Sequence, residues 1–120
     1  MNTPAPPDQG VTFDLKTVAH ELRAEESYHS EGHTARTLTR TSDLRIVLLA
    51  LKAGKTISEH HANVTASVQT LSGHIRAHLP ARGVDVPGGQ LLVRGAGLSH
   101  DVYAEVDSVF LLTLGWPASR

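Results

Sequence analysis

The chain has 120 residues, with 11 Lys and Arg against 12 Asp and Glu, eight histidines, no cysteine and a formal net charge of -1. That length suits one domain, which buries roughly two-thirds of its unfolded surface without cross-links. Scattered, nearly balanced charge argues against nucleic acid or an anionic membrane as a partner, since either needs a basic face, and a chain without cysteine has neither a disulfide framework nor thiolate chemistry.

Residues 1–10 hold three prolines, one glycine and almost no apolar side chains. They cannot bury enough surface to offset the entropy of ordering, so a disordered arm is expected there, followed by one barrel domain over 11–120. The start has neither the basic end nor the apolar core of a secretion signal, and no apolar run approaches the ~20 residues of a membrane span. The expectation is a soluble cytoplasmic protein. From Asp14 to Arg23, the apolar residues Leu15, Val18, Ala19 and Leu22 recur at helical spacing behind a capping aspartate, which predicts one short helix. The stretch 27–32 is polar and reads as a surface loop.

Short strands follow. Ala35 to Arg40 is threonine-rich and turns back at Thr41-Ser-Asp43. Leu44 to Ala53 is the most apolar run, with Leu and β-branched residues in both phases. A buried helix is the rival there, but the turn residues on either side favour a strand covered on both faces, by the N-terminal helix or by a second subunit. In 62–71, Ala62, Val64, Ala66 and Val68 alternate with Asn63, Thr65, Ser67 and Gln69, a half-buried strand closed by Gly73. His74 to Leu79 alternates again, with Ile75, Ala77 and Leu79 inward and His74, Arg76 and His78 outward. Further strands are predicted at 84–86, 90–94, 100–106 and 108–114. Many short strands with Gly or Pro at nearly every junction specify an all-β sandwich or barrel.

Two segments carry a more specific pattern. Gly54, five residues, His60, one residue, Ala62, three residues, Ala66, six residues and Gly73 form the first. Gly89, five residues, Gly95-Ala-Gly97, two residues, His100, three residues and Ala104 form the second. In spacing these resemble the two signature motifs of the cupins, all-β proteins built as a jelly-roll barrel, or double-stranded β-helix. The resemblance implies that fold, here preceded by the one short helix at 14–23, and a homodimer, since small cupins commonly pair. It also implies a metal site made from two histidines and a glutamate of the first motif and one histidine of the second. Here His60 and His100 stand at matching positions, whereas Ala62 and Ala66 replace the other ligands. Two imidazoles are a thin set for zinc, iron, manganese or nickel, which take three or four protein ligands.

His60 and His100 are in phase with inward residues: Ala62, Val64, Ala66 and Val68 follow the first, and Val102, Ala104 and Val106 the second. The bland reading is a pair of buried neutral histidines. The functional one is a small-molecule pocket lined by His60, His100, Val68 and Val102, with or without a divalent metal, since polar groups in an apolar cavity are the usual mark of a binding site. His61 is offset by one residue and joins a metal set with His60 and His100 only through a bulge; Glu59 shares its phase and reads as solvated. His29 and His33 either fold over the barrel mouth or lie in a surface loop, the latter being the better reading. Asp101 becomes a general base only if its strand is irregular. Three functions stand open: a small-molecule binder, a metal-dependent oxygenase or isomerase, and a metal-free sensing or structural module.

Overall fold

The computed structural model describes residues 9–58, 63–96 and 101–115. Two helices, α1 (Leu15–Arg23) and α2 (Glu26–Glu31), precede nine strands: β1 (His33–Arg40), β2 (Leu44–Leu51), β3 (Thr56–Ser58), β4 (Ala66–Ser72), β5 (His74–His78), β6 (Gly83–Pro87), β7 (Leu91–Arg94), β8 (Asp101–Ala104) and β9 (Ser108–Gly115). Every pairing is antiparallel, in a five-stranded sheet of order β1-β2-β9-β4-β7 and a four-stranded sheet of order β3-β8-β5-β6.

The predicted helix is present, capped by Asp14, whose carboxylate accepts from the Thr17 N–H at 3.3 Å. A second helix follows where a loop was expected. Its only large apolar residue is Tyr28, so there is no periodicity to reveal it, but that ring is buried and Lys52 Nζ sits 5.3 Å from its centroid. Gly32 ends α2 in the left-handed region at φ 85°, its N–H donating to the Tyr28 carbonyl at 3.0 Å.

Strand β2 serves two cores, as its double-phase apolar run requires. Val47, Leu49 and Leu51 face between the sheets with Val68, Ile75, Val86, Val102, Ala104 and Phe110. Leu48 and Ala50 face outward against Ala19, Leu22, Tyr28 and Leu38, so the helices cover the outer side of this strand. The predicted strand at 62–71 begins later, at Ala66, because the chain turns at 63–65, while Val64 is still buried. The short strand β3 was not predicted; three residues, two of them hydroxylated, are too few to show a period. Val106, expected inward, is 49% exposed: β8 ends at Ala104 and the chain bends through 105–107, where Asp107 Oδ1 accepts from the Ala53 N–H at 2.9 Å.

At one end of the molecule a single row crosses the larger sheet, Arg40, Arg45, Leu114, Ala66 and Arg94, each the register partner of the next. On the smaller sheet Ser58 pairs with Asp101 and Asp101 with His78. The described residues that flank the segments bearing His60 and His100 lie in or next to these two rows: Ser58 and Asp101 in the smaller sheet, Ala66 and Arg94 in the larger.

Candidate functional site

Alternation places Val64, Ala66, Val68, Val102 and Ala104 correctly on the inner face. Val68 and Val102, predicted to line the pocket, are 1% and 3% exposed and belong to the core between the sheets. Val64 and Ala66 are buried with Leu114 at the end of the larger sheet. His60, His61 and His100, together with Glu59 and Ala62, lie outside the described residues, and so does the question of a bulge at His61. Their flanks do converge: Ser58 is the register partner of Asp101, and Ala66 that of Arg94.

Arg94 is the functional candidate that the sequence reading missed. It is 1% exposed, the only charged side chain buried among the described residues, and its Nη1 donates to the Val64 carbonyl at 3.1 Å. It shares the inward phase of Leu92, which packs on the core, while Leu91 and Val93 are 58% and 63% exposed on the other side. That phase was readable in the sequence; the expectation that arginine faces water concealed it. Arg45 lies on the same face as Val47, Leu49 and Leu51. Its Nη2 reaches Thr37 Oγ1 at 3.5 Å, and its Nε is buried with no hydrogen-bond partner among the described residues.

These positions bear on metal binding. Position 66, where the first motif has its glutamate, carries a methyl group, and its cross-strand partner is a permanently charged guanidinium. Among the described residues no group of three or more His, Cys, Asp or Glu lies together, and the three candidate ligands, His60, His61 and His100, are outside them.

The remaining candidates lie elsewhere. His29 is exposed on α2, and His33 starts β1 opposite Leu51, at the end of the sheet far from Arg94. Neither folds over the motif end. His74 and Arg76 share Asp85 on the outer face of the smaller sheet, at 3.3 Å and 2.8 Å, and Arg76 first, then His74, holds that carboxyl below its usual range. His78 stacks on Tyr103 with centroids 6.5 Å apart. Asp101 is exposed in a regular ladder, in phase with Tyr103 and out of phase with Val102, so it does not face the interior. Gln69, out of phase with the interior, is exposed. A separate cleft of about 500 Å³ lies outside the larger sheet, between Leu15 and Ala19 of α1 and Leu71 and Val109, with Lys16 and Arg23 at its rim.

No protein-family model matches the sequence, and no curated protein matches it. Solved structures do resemble it. A conserved protein of unknown function from Streptococcus pyogenes is 27% identical, with a TM-score of 0.73, over 98% of this chain and 96% of that one. An RmlC-like cupin from Desulfovibrio desulfuricans is 20% identical, with a TM-score of 0.67, over 80% of this chain and 93% of that one. A point mutant of salicylate 1,2-dioxygenase from Pseudoaminobacter salicylatoxidans is 15% identical, with a TM-score of 0.77, over 95% of this chain but 36% of that one. Two antiparallel sheets enclosing one core, motif spacing kept at both glycine-and-histidine segments, and these solved structures lead to one conclusion: the chain has the fold of the cupins.

Proposed function

We propose that this protein is a single-domain cupin that binds a small molecule at the barrel end where Val68, Val102 and Arg94 meet the segments bearing His60 and His100. The observation that carries the reading is Arg94, a charged side chain 1% exposed at the end of an otherwise apolar interior. A few polar groups at the end of an otherwise apolar interior are the usual mark of a small-molecule site. His60 and His100, inward by phase, supply further donors or acceptors. A thermal-shift screen of neutral and acidic small molecules, with and without chelator, tests this. Stabilisation that survives chelator and is lost in His60→Ala or His100→Ala supports a metal-free binding or sensing site.

The second reading is a metal-dependent oxygenase or isomerase, favoured by the likeness to a dioxygenase over nearly the whole chain. It draws on His60, His100 and His61 alone for zinc, iron, manganese or nickel, because positions 62 and 66 are alanine. Elemental analysis of untagged protein separates the two: metal at one equivalent, lost in both histidine variants, favours the enzyme. A homodimer and a cytoplasmic location belong to the same proposal. Exposed Leu91 and Val93 on edge strand β7 support the dimer, which sedimentation analysis checks.

A further inference from the structure

We propose that the cleft on the outer face of the larger sheet binds a medium-chain aliphatic carboxylic acid, its chain lying on Leu15, Ala19, Leu71 and Val109 and its carboxylate held by Arg23. This site is independent of the barrel-end reading above. Its volume of about 500 Å³ is within the range of small-molecule sites. It exists because α1 packs on β2 through Ala19 and Leu22 and leaves the outer side of β4 only partly covered at Leu71. The floor continues the outer core: Ala19 and Val109 are 7% and 1% exposed, and Leu15 and Leu71 are half-buried beside them.

A bulge in β4 supplies the polar end. Thr70 pairs with Phe110 and Ser72 with Val109, so Leu71 is an extra residue in the ladder and both Leu71 and Ser72 line the cleft. Without the bulge, alternation would send Ser72 to the interior. Arg23 Nη2 donates to Ser72 Oγ at 3.3 Å, and the Tyr28 hydroxyl is its other polar neighbour. Both partners are neutral, so the guanidinium keeps N–H donors for a carboxylate, and the Ser72 proton is left to donate to the same anion. Lys16, on the same side of α1 and about 10.5 Å away along its axis, adds a second cation. Neither cation forms an ion pair with a carboxylate among the described residues, whereas Arg36 and Arg76 both do. No acidic side chain lines the cleft among the described residues. On a chain of net charge -1, two cations over hydrocarbon select a molecule that is apolar along its length and negative at one end.

The test titrates the full chain calorimetrically with octanoate, octanamide, octylamine and acetate, each below its micelle-forming concentration, and maps octanoate by amide chemical shifts. Octanoate should bind at least about fivefold more tightly than octanamide. Octylamine and acetate should not saturate, the first for its charge and the second for want of a chain. The octanoate shifts should centre on Leu15 to Arg23, Leu71, Ser72 and Val109. Arg23→Gln should lower octanoate affinity about fivefold to tenfold and leave octanamide unchanged, and Lys16→Gln should lower it less, through charge alone. An Arg23→Gln variant that weakens acid and amide alike would make Arg23 a brace for Ser72 and overturn its role at the carboxylate. Octanoate that binds no better than octanamide, or gives no saturable heat, overturns the inference, and this comparison on the wild type needs no variant to fold. Octanoate shifts at Val64 to Val68 and Arg94 in place of the cleft overturn it too, while leaving the barrel-end reading standing.

Discussion

Ala66 and Arg94 stand opposite each other across the β4–β7 ladder, a methyl group beside a buried guanidinium, where the cupin pattern has a glutamate on the first of these strands. Where that pattern has a carboxylate, this chain has a methyl group facing a buried cation. Ala66→Glu should therefore create an internal ion pair and not a metal site. The variant's thermal midpoint is expected to be unmoved by chelator. Metal-dependent stabilisation of Ala66→Glu would show that the site still accepts a divalent ion.

The helices are part of the fold's stability, because they close the outer core over β2. Leu22 and Leu48 are both fully buried, and Leu22 sits in one cluster with Ala19, Tyr28 and Ala50. Leu22→Ala should cost about 2–5 kcal/mol in urea unfolding, with the denaturant slope unchanged. A loss below about 1 kcal/mol would mean that α1 does not seal this face.

Gly73 joins the two sheets at the far end from Arg94, at φ 88°. An added Cβ would meet the Asp107 carbonyl oxygen at 2.5 Å and Ser108 Cα at 2.8 Å, both backbone, and the Ser108 hydroxyl as well. That hydroxyl donates to the Val106 carbonyl at 2.7 Å and accepts from the His74 N–H at 3.0 Å, so it cannot simply swing away. Gly73→Ala combines a left-handed backbone with a clash and should destabilise by more than about 2 kcal/mol, measured by thermal or urea unfolding.

Acid should loosen the contact between α2 and β1. Glu25 accepts from Thr34 Oγ1 at 2.7 Å and from Arg36 Nη2 at 3.1 Å, and these bonds, the threonine's first, hold its carboxyl below the ordinary 4.5. A carboxyl with a depressed folded-state pKa contributes stability that is present above the unfolded value and lost as pH falls through the folded one. Stability should thus decline below about pH 4.5, and Glu25→Gln should flatten part of that decline. The carboxylate is 40% exposed, so the effect is small and shrinks with salt. An unchanged pH profile in Glu25→Gln would remove this contact from the acid response.

Alternation carried most of the fold. Val64, Ala66, Val68, Ile75, Ala77, Val102 and Ala104 all lie on the side that a period of two assigns them. It failed where the ladder stops, at Val106, since a period says nothing about where a strand ends. Helix α2 was illegible because one anchoring tyrosine makes no pattern, and β3 because its three residues are held by their register with β8, a long-range cause. At the candidate site the histidines drew attention as familiar ligands. Arg94 occupied an inward phase just as plainly, and only its burial in the folded chain shows that the charge belongs to the interior.

The barrel-end site is tested most directly by mapping onto the chain, with amide chemical shifts, the compound that stabilises it most in the thermal-shift screen. The predicted result is a saturable set of changes confined to Val64 through Val68, to Leu92 through Arg94, to Val102 and to the neighbouring segments that carry His60 and His100. Changes centred instead on Leu15, Ala19 and Leu71, around the outer cleft, or no saturable changes at all, would contradict it.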